Sequence, residues 1–302
     1  MGSHHLPNLL VAGVPKAGTG SLFAYLGQHP DICPSSEKEI GHFTALIANK
    51  ELPSVKSYKA HFAHCQSERY LLEATPSYCY GGEPVLEAIT QLLGTPHVIF
   101  SLRDPVERLW SAYTFQRSLG NLPGINSLQE YLEACEAQRR SGREFVVGSH
   151  LNGVSIGFYG DYLQQWFERF NDHVMVVFME QVASQPQIVV SQICRWLEID
   201  DAVTGSLDYG LRNKTVHPKS VLLSRLAFAS KRRLEWALPR DKAIRARLRS
   251  AFERINRGEL SEELDAETRR QVEDLYRASN QKVGELLSAR GYERLPPWLS
   301  LK

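Results

Sequence analysis

Residues 9–21 read LLVAGVPKAGTGS, an apolar run that passes directly into a glycine-rich turn. A short, uninterrupted apolar run beside turn residues is typical of a buried strand. The residues after the turn indicate the start of a helix over 21–27, with apolar side chains at Leu22, Phe23, Tyr25 and Leu26. The stretch therefore predicts a strand, a tight turn and a helix, in that order.

The turn itself has the features of an anion site. Its small residues let backbone N–H groups approach an anion, and the following helix adds the positive end of its dipole. Lys16 contributes a full charge, while Thr19 and Ser21 contribute hydroxyl groups. It is not a Walker A loop, because that pattern needs Lys and then Ser or Thr directly after the second glycine, and here Thr19 and Gly20 follow Gly18. We predict a phosphate-binding turn; a plain turn without a ligand is the alternative.

Further along the chain, apolar runs and amphipathic stretches alternate. The runs predict buried strands at 98–102 and 174–178. Helical spacing of apolar residues predicts helices at 85–93, 105–117, 162–170, 188–197 and 271–287. Such alternation is typical of a parallel sheet with helices on both faces. We therefore predict one α/β domain over residues 6–302, preceded at 1–5 by a vector-derived remnant.

The composition excludes several classes of protein. Hydrophobic residues make up 43% of the 302 residues and charged residues 23%, which is ordinary for a globular protein. The formal net charge of +1 gives the whole molecule no strong attraction to nucleic acid or to a membrane, so no nucleic-acid partner is expected. No apolar run approaches the ~20 residues that span a bilayer, and no transmembrane segment is expected.

The cysteines indicate the compartment. Their number is odd and they form no C-x-x-C pattern, so neither a disulfide framework nor a zinc site is expected. Reduced thiols in a cytoplasmic protein are the simplest interpretation, and a secretory-pathway protein whose leader was removed is the other. The five residues are Cys33, Cys65, Cys79, Cys135 and Cys194.

A second polar motif, LRDPVERLWSAY, covers residues 102–113 and follows a predicted strand. An arginine at the carboxyl edge of a parallel sheet points into the ligand crevice, which places Arg103 there, and Ser111 lies two helical turns further on. Arginine can bind phosphate through two N–H groups. The alternative is that Arg103 simply pairs with Asp104 at the start of the helix. Arg108 is expected to make structural ion pairs.

Together the two motifs resemble the sulfotransferases that use 3′-phosphoadenosine 5′-phosphosulfate (PAPS), and in particular the heparan sulfate N- and O-sulfotransferases and their bacterial counterparts. The resemblance implies a P-loop-like three-layer sandwich with a central parallel sheet flanked by helices. It implies PAPS as donor, adenosine 3′,5′-bisphosphate (PAP) as product, and no metal. Gly20 stands where several members have a basic or bulky residue. The implied donor ligands are Lys16, Ala17, Gly18, Thr19, Gly20 and Ser21 for the 5′-phosphosulfate, and Arg103 and Ser111 for the 3′-phosphate.

The segment SEKEIGHF, residues 36–43, is similar to a Lys-Glu-x-His-Phe-Phe stretch that supplies the catalytic glutamate in the heparan-type family. This likeness implies Glu39 as the general base, with His42, one place later than the family's histidine, as the weaker alternative. Sulfuryl transfer proceeds in line, and charge builds on the leaving oxygen, where Lys16 would stabilise it. Without the resemblance, Glu39 would be read as part of a solvated charge run.

Two further segments resemble the family only in part. LEATPSY, residues 72–78, has Ala74 where the family has a lysine near the sulfonate. RNKTVHP, residues 212–218, is similar to a loop that closes over the nucleotide, which implies phosphate contacts from Asn213, Lys214 and Thr215; a basic loop without a ligand is the alternative.

The stretch 219–249 holds ten Lys or Arg against two acids, and apolar residues interleave with them. We read residues 219–260 as a basic helical segment. It is either an ordinary solvated face or a lid on the acceptor side that attracts an acidic acceptor, a carrier protein or an anionic membrane surface.

These observations predict an enzyme that transfers a sulfonate group from PAPS to a hydroxyl group, or less readily to an amine. The acceptor classes in the family are saccharides, lipids, natural products and carrier-bound chains. The alternatives are a P-loop kinase that uses ATP with Mg²⁺, against which the displaced lysine argues, and an inactive nucleotide-binding module, for which Ala74 is the only support.

Overall fold

The structure is a computed structural model that describes residues 6–210 and 264–299, together with the pairs 217–218 and 257–258. A five-stranded sheet with the order β2-β3-β1-β4-β5 lies at its centre, and each neighbouring pair runs parallel. Its strands are β1 (Leu9–Gly13), β2 (Ile32–Pro34), β3 (Tyr70–Ala74), β4 (His97–Leu102) and β5 (Val174–Phe178). Because all the strands run the same way, their carboxyl ends meet at one edge, where ligands bind in open α/β sheets.

Helices cover the sheet and connect its strands. They are α1 (Thr19–Leu26), α2 (Thr44–Ile47), α3 (Val55–Ala60), α4 (Gly82–Leu93), α5 (Pro105–Ser118), α6 (Leu128–Arg140), α7 (Leu163–Phe170), α8 (Met179–Ser184), α9 (Pro186–Trp196) and α10 (Ala266–Ser288). The pairs 217–218 and 257–258 form a short antiparallel contact, β6 (His217–Pro218) with β7 (Arg257–Gly258).

The sheet separates two apolar clusters, which makes the fold a three-layer sandwich. Along β1, Leu10 and Ala12 pack into one cluster, while Leu9 and Val11 pack into the other. Side chains alternate between the faces of a strand, so a strand buried on both faces must be apolar throughout. This requirement explains the uninterrupted apolar run of β1, all of which is buried.

The predicted elements are confirmed where the apolar pattern is long. The strands predicted at 98–102 and 174–178 are β4 and β5, and the helices predicted at 85–93 and 188–197 are α4 and α9. The pattern missed β2, which has three residues, and β3, whose sequence YLLEA contains a buried glutamate. It also missed α6, which begins at a serine cap, Ser127, whose hydroxyl accepts from Glu130 N–H.

The expectation of five reduced thiols is wrong for two of them. Cys33 and Cys65 form a disulfide, with their Cα atoms 5.8 Å apart, and His64 Nε2 lies 3.5 Å from Cys33 Sγ. The other three cysteines are free and buried. Spacing rules detect cysteines that are close in sequence, whereas this bond joins β2 to the segment after α3, 32 residues away.

None of the helices within residues 6–210 and 264–299 has both the length and the apolar composition needed to cross a membrane.

Candidate active site

The turn after β1, residues 13–21, is called here the nucleotide loop, and backbone hydrogen bonds fix it to the sheet. Val14 N–H donates to Ser101 O on β4 at 3.0 Å, and the Ser101 hydroxyl donates to Ala17 O. Gly18 has φ +79°, and a Cβ there would clash with Met179 Sδ, so only glycine fits this position. The loop therefore owes its shape to main-chain hydrogen bonds, to the Ser101 hydroxyl group and to one glycine.

Helix α1 presents its first N–H groups at this loop. Its hydrogen bonds begin with Ser21 and Leu22, which both donate to Gly18 O, at 3.0 and 3.1 Å. The N–H groups of Thr19 and Gly20 precede them, so they have no carbonyl one turn earlier in the helix to bond. Such groups, at the positive end of the helix dipole, are suited to bind an anion.

Lys16 lies in the loop with a left-handed backbone, φ +70°. Burial, with a further contribution from the nearby Arg103 charge, lowers the pKa of its ammonium group to about 8, while Glu39 acts in the opposite direction. Its Nζ lies 3.9 Å from the centre of the Phe115 ring. The ammonium group is thus partly desolvated, which strengthens its electrostatic attraction to an anion.

Arg103 follows β4 and meets the nucleotide loop directly. Its Nη1 donates to Lys16 O at 3.3 Å, and its Nη2 lies 3.7 Å from Glu107 Oε2. The alternative pairing of Arg103 with Asp104 is not found, because the Asp104 carboxylate caps α5 by accepting from Val106 N–H at 2.8 Å. The two sequence motifs therefore converge at the carboxyl ends of neighbouring strands. Ser111 lies on α5, two turns beyond Arg103, and is half-buried.

The expected ion pairs of Arg108 are wrong. Its side chain is fully buried, Nη2 donates to Gly153 O, and within the described residues Nε and Nη1 have no hydrogen-bond partner. The titratable groups around it are the hydroxyl groups of buried tyrosines rather than acids, namely Tyr131, Tyr159, Tyr162 and Tyr276. Glu107, the adjacent acid in the sequence, does not face Arg108, because neighbouring residues on a helix point in different directions.

Residues 39–43, called here the base loop, form the last part of the connection between β2 and α2. Glu39 has φ +65°, its N–H donates to Ala74 O at 3.0 Å, and its carboxylate pairs with the ammonium group of Lys38. The Glu39 side chain is 61% exposed, so an acceptor from solvent can reach it. Its charge raises the pKa of Lys16, which places the carboxylate in the neighbourhood of that ammonium group.

His42, the other candidate base, occupies a different environment. Its ring is buried and stacks on Tyr58 with the centroids 4.1 Å apart and an interplanar angle of 3°. Burial lowers the pKa of the imidazole to about 4, which leaves the ring neutral at pH 7. Its Nε2 has no hydrogen-bond partner among the described residues. Only 2% of the residue is exposed, so the base loop presents Glu39 to solvent and places His42 in the core.

Two residues of the site were missed by sequence reasoning. Phe115, one turn beyond Ser111 on α5, covers the Lys16 ammonium group. Glu73 is fully buried on β3 beside the base loop, and burial raises the pKa of its carboxyl group. The sequence did offer a signal for Glu73, because an acidic residue within an otherwise apolar strand indicates a buried carboxyl group with a specific role. Ala74, at the position where the family resemblance implies a lysine, is buried as well.

The candidate ligands Asn213, Lys214 and Thr215 and the basic segment 219–260 lie outside the described residues, apart from β7 within that segment.

Fold and site together define an α/β domain with a strand–turn–helix anion site and a second cationic motif on the neighbouring strand. The chain belongs to the family described as the sulfotransferase domain, which matches residues 6–284. The family resemblance inferred from the motifs is thereby confirmed.

Curated relatives cover the chain to different extents. Human bifunctional heparan sulfate N-deacetylase/N-sulfotransferase 1 is 25% identical over 301 residues, which are 97% of this chain and 31% of the relative. Human heparan sulfate glucosamine 3-O-sulfotransferase 3B1 is 26% identical over 214 residues, 70% of this chain and 51% of the relative. Membrane-associated sulfotransferase kil1 of Dictyostelium discoideum is 37% identical over 113 residues, 36% of this chain and 23% of the relative. The chain thus spans between about a quarter and a half of the length of these relatives.

Solved structures confirm the predicted fold class. The crystal structure of a sulfotransferase from Alicyclobacillus acidocaldarius matches with a TM-score of 0.67 at 18% identity, covering 97% of this chain and 99% of that one. A mouse sulfotransferase in complex with PAP matches with a TM-score of 0.50 at 18% identity, covering 96% and 90% of the two chains. At these identities the likeness is one of fold.

Proposed function

We propose that the protein transfers a sulfonate group from PAPS to an acceptor hydroxyl group, leaving PAP. The observation that carries this proposal is the contact between the two cationic motifs, Arg103 Nη1 to Lys16 O at 3.3 Å. A nucleotide with phosphate groups at both its 5′ and 3′ positions needs two anion sites that are separate but adjacent. Lys16 with the start of α1 supplies one, and Arg103 with Ser111 supplies the other.

Transfer requires that charge be stabilised where it builds up. As the sulfur–oxygen bond to the donor breaks, negative charge develops on the leaving phosphate oxygen, and the Lys16 ammonium group neutralises it. The N–H groups at the start of α1 hold the 5′-phosphate in place. A buried cation acts more strongly than one in water, and the lowered pKa of Lys16 reports such an environment.

The acceptor must lose a proton as its oxygen attacks sulfur. Glu39 takes this proton as general base, because it is exposed to the acceptor and acts within the same site as Lys16. In this step the acceptor O–H bond breaks, a new oxygen–sulfur bond forms, and the donor's sulfur–oxygen bond breaks with its electron pair leaving on PAP. His42 is the weaker candidate, since its ring is buried against Tyr58.

The names of the curated relatives support one acceptor class for the first test. Two of those described above are named for sulfation of heparan sulfate, on nitrogen in one and on oxygen in the other. We therefore propose a saccharide as the acceptor to test first. A cytoplasmic location stays a prediction, as do the contacts proposed for Asn213, Lys214 and Thr215.

The test is calorimetric titration of the protein with PAP in the absence of metal. The parent protein should bind PAP, and Arg103→Ala should lose most of that affinity, since the 3′-phosphate would lose an arginine that can donate two hydrogen bonds to it. Arg277→Ala is the matched control, because Arg277 is an exposed arginine on α10 paired with Asp274. Failure of the parent protein to bind PAP, together with binding of ATP and Mg²⁺, would refute the proposal and favour the kinase alternative.

A further inference from the structure

We propose that Glu73 is a positioning residue whose carboxyl group orients the hydroxyl groups of Thr75 and Tyr78, and that these hydroxyl groups hold the base loop in the conformation that presents Glu39. The inference rests on the proposed role of Glu39 as general base. Glu73 itself has no exposed surface, so we assign it a role through the loop rather than on the substrate.

Three hydroxyl groups converge on this buried carboxyl group. Thr75 Oγ1 and Tyr78 OH donate to its Oε1 at 2.7 and 2.6 Å, and Tyr58 OH donates to its Oε2. A buried carboxyl group is tolerated only where such bonds replace water. Its three partners come from α3, from the end of β3 and from the turn after it, so Glu73 joins three segments around the base loop.

The hydrogen bonds continue from these hydroxyl groups to the base loop. A hydroxyl group has one proton and can also accept. Since Thr75 and Tyr78 give their protons to Glu73, their lone pairs remain for other donors. Gly41 N–H donates to Thr75 Oγ1 at 3.2 Å, and Phe43 N–H donates to Tyr78 OH at 3.4 Å. The direction in which both hydroxyl groups point is therefore set by Glu73.

Other contacts bind the same loop to the same partners. The Tyr58 ring stacks on His42, and Glu39 N–H donates to the carbonyl of Ala74, the residue after Glu73. Glu39 and Gly41 both have left-handed backbones, with φ of +65° and +69°. A residue other than glycine keeps such a backbone only where its surroundings impose it. The network around Glu73 supplies those surroundings.

A role in stability alone would predict a different outcome on substitution. An apolar residue of similar size would remove the cost of burying a carboxyl group but would leave three buried hydroxyl groups without their acceptor, so overall stability can fall in either case. A loss of overall stability alone would speed amide exchange throughout the protein, whereas a role in the loop requires that the substitution free the loop selectively. We therefore choose readouts that separate loop order and turnover from overall stability.

The main variants are Glu73→Leu, which removes both acceptor oxygens, and Glu73→Gln, which keeps one. In Glu73→Leu we expect kcat to fall about 100-fold, because displacement of a catalytic group by about 1 Å has effects of that size. Glu73→Gln should lose less. Amide hydrogen exchange should become faster at Gly41 and Phe43, while exchange at Val14 and the dissociation constant for PAP stay at parent values.

Thr75 offers a matched pair in case Glu73→Leu does not fold. Thr75→Val removes the hydroxyl group and keeps the shape, whereas Thr75→Ser keeps the hydroxyl group. We expect Thr75→Val to lower kcat and to speed exchange at Gly41, and Thr75→Ser to behave like the parent protein. Parent-like kcat and exchange in Thr75→Val would overturn the inference.

The last comparison separates this inference from the proposed function. A protein carrying both Glu39→Gln and Glu73→Leu should turn over no more slowly than Glu39→Gln alone, because Glu73 acts through Glu39. Additive losses would overturn the inference. Parent-rate turnover in Glu39→Gln would refute the base assignment itself, whereas unchanged exchange at Gly41 and Phe43 in Glu73→Leu would refute the network whatever Glu39 does.

Discussion

The nucleotide loop and the base loop meet at one edge of the sheet but are held there by different means. The nucleotide loop is fixed mainly by main-chain contacts, such as Val14 N–H to Ser101 O, and by the glycine conformation of Gly18. The base loop is fixed largely by side chains, through the hydroxyl groups around Glu73. A loop held by its backbone tolerates substitution of neighbouring side chains, whereas a loop held by side chains is sensitive to buried residues some distance away.

The sharpest test of this division is Glu39→Gln. We expect kcat to fall by about 10²–10⁴-fold, the usual contribution of a general base, because the amide cannot take the acceptor's proton. Affinity for PAP should stay unchanged, since the nucleotide loop keeps its contacts. The measurements are steady-state turnover with PAPS and calorimetry with PAP.

Glu37→Gln is the control for that variant, because Glu37 is an exposed acid two residues away, near His61. It should keep the parent rate. Weaker PAP binding in Glu39→Gln would contradict the division of roles between the two loops, because the two loops would then act as one unit.

The sequence predicted these two loops unequally, for a physical reason. Phosphate binding needs a strand, small residues and a helix start in direct succession, so residues 9–26 carry the whole pattern locally. The base loop depends on partners 15 to 35 positions apart, such as Tyr58 with Glu73 and Phe43 with Tyr78. No local periodicity reports such distant pairs. For the same reason the bond between Cys33 and Cys65 was not predicted.

Lys16→Met should have the next largest effect. Removal of one group that stabilises developing charge typically lowers kcat by about 10²–10³-fold. Unlike Glu39→Gln, this variant should also weaken PAP binding, because the same ammonium group attracts the bound phosphate. Turnover and calorimetry on one preparation check both effects, and Lys50→Met, at an exposed position, is the control. Parent-like affinity for PAP in Lys16→Met would show that Lys16 does not contribute to nucleotide binding.

A smaller effect is expected from pH. The pKa of Lys16 is lowered to about 8 in the free protein, so the ammonium group is charged below that pH and loses its proton above it. If only the charged form binds PAP well, the dissociation constant should rise about tenfold between pH 7 and pH 9. Lys16→Arg keeps its charge throughout this range and should flatten the profile. An equally steep profile in Lys16→Arg would assign the titration to another group.

The smallest effect should come from substitution of Phe115, whose ring contacts the nucleotide loop at the Lys16 side chain. Its ring lies over the Lys16 ammonium group, and such an interaction contributes about 0.5–1 kcal/mol at an exposed site. Phe115→Leu should therefore weaken PAP binding only a few-fold, while Phe115→Tyr, which keeps an aromatic face, should match the parent protein. Calorimetry measures both. Since main-chain contacts hold the loop, its shape should survive the loss of this ring. A loss in Phe115→Leu as large as that in Lys16→Met would mean that the nucleotide loop, like the base loop, depends on a distant side chain for its shape.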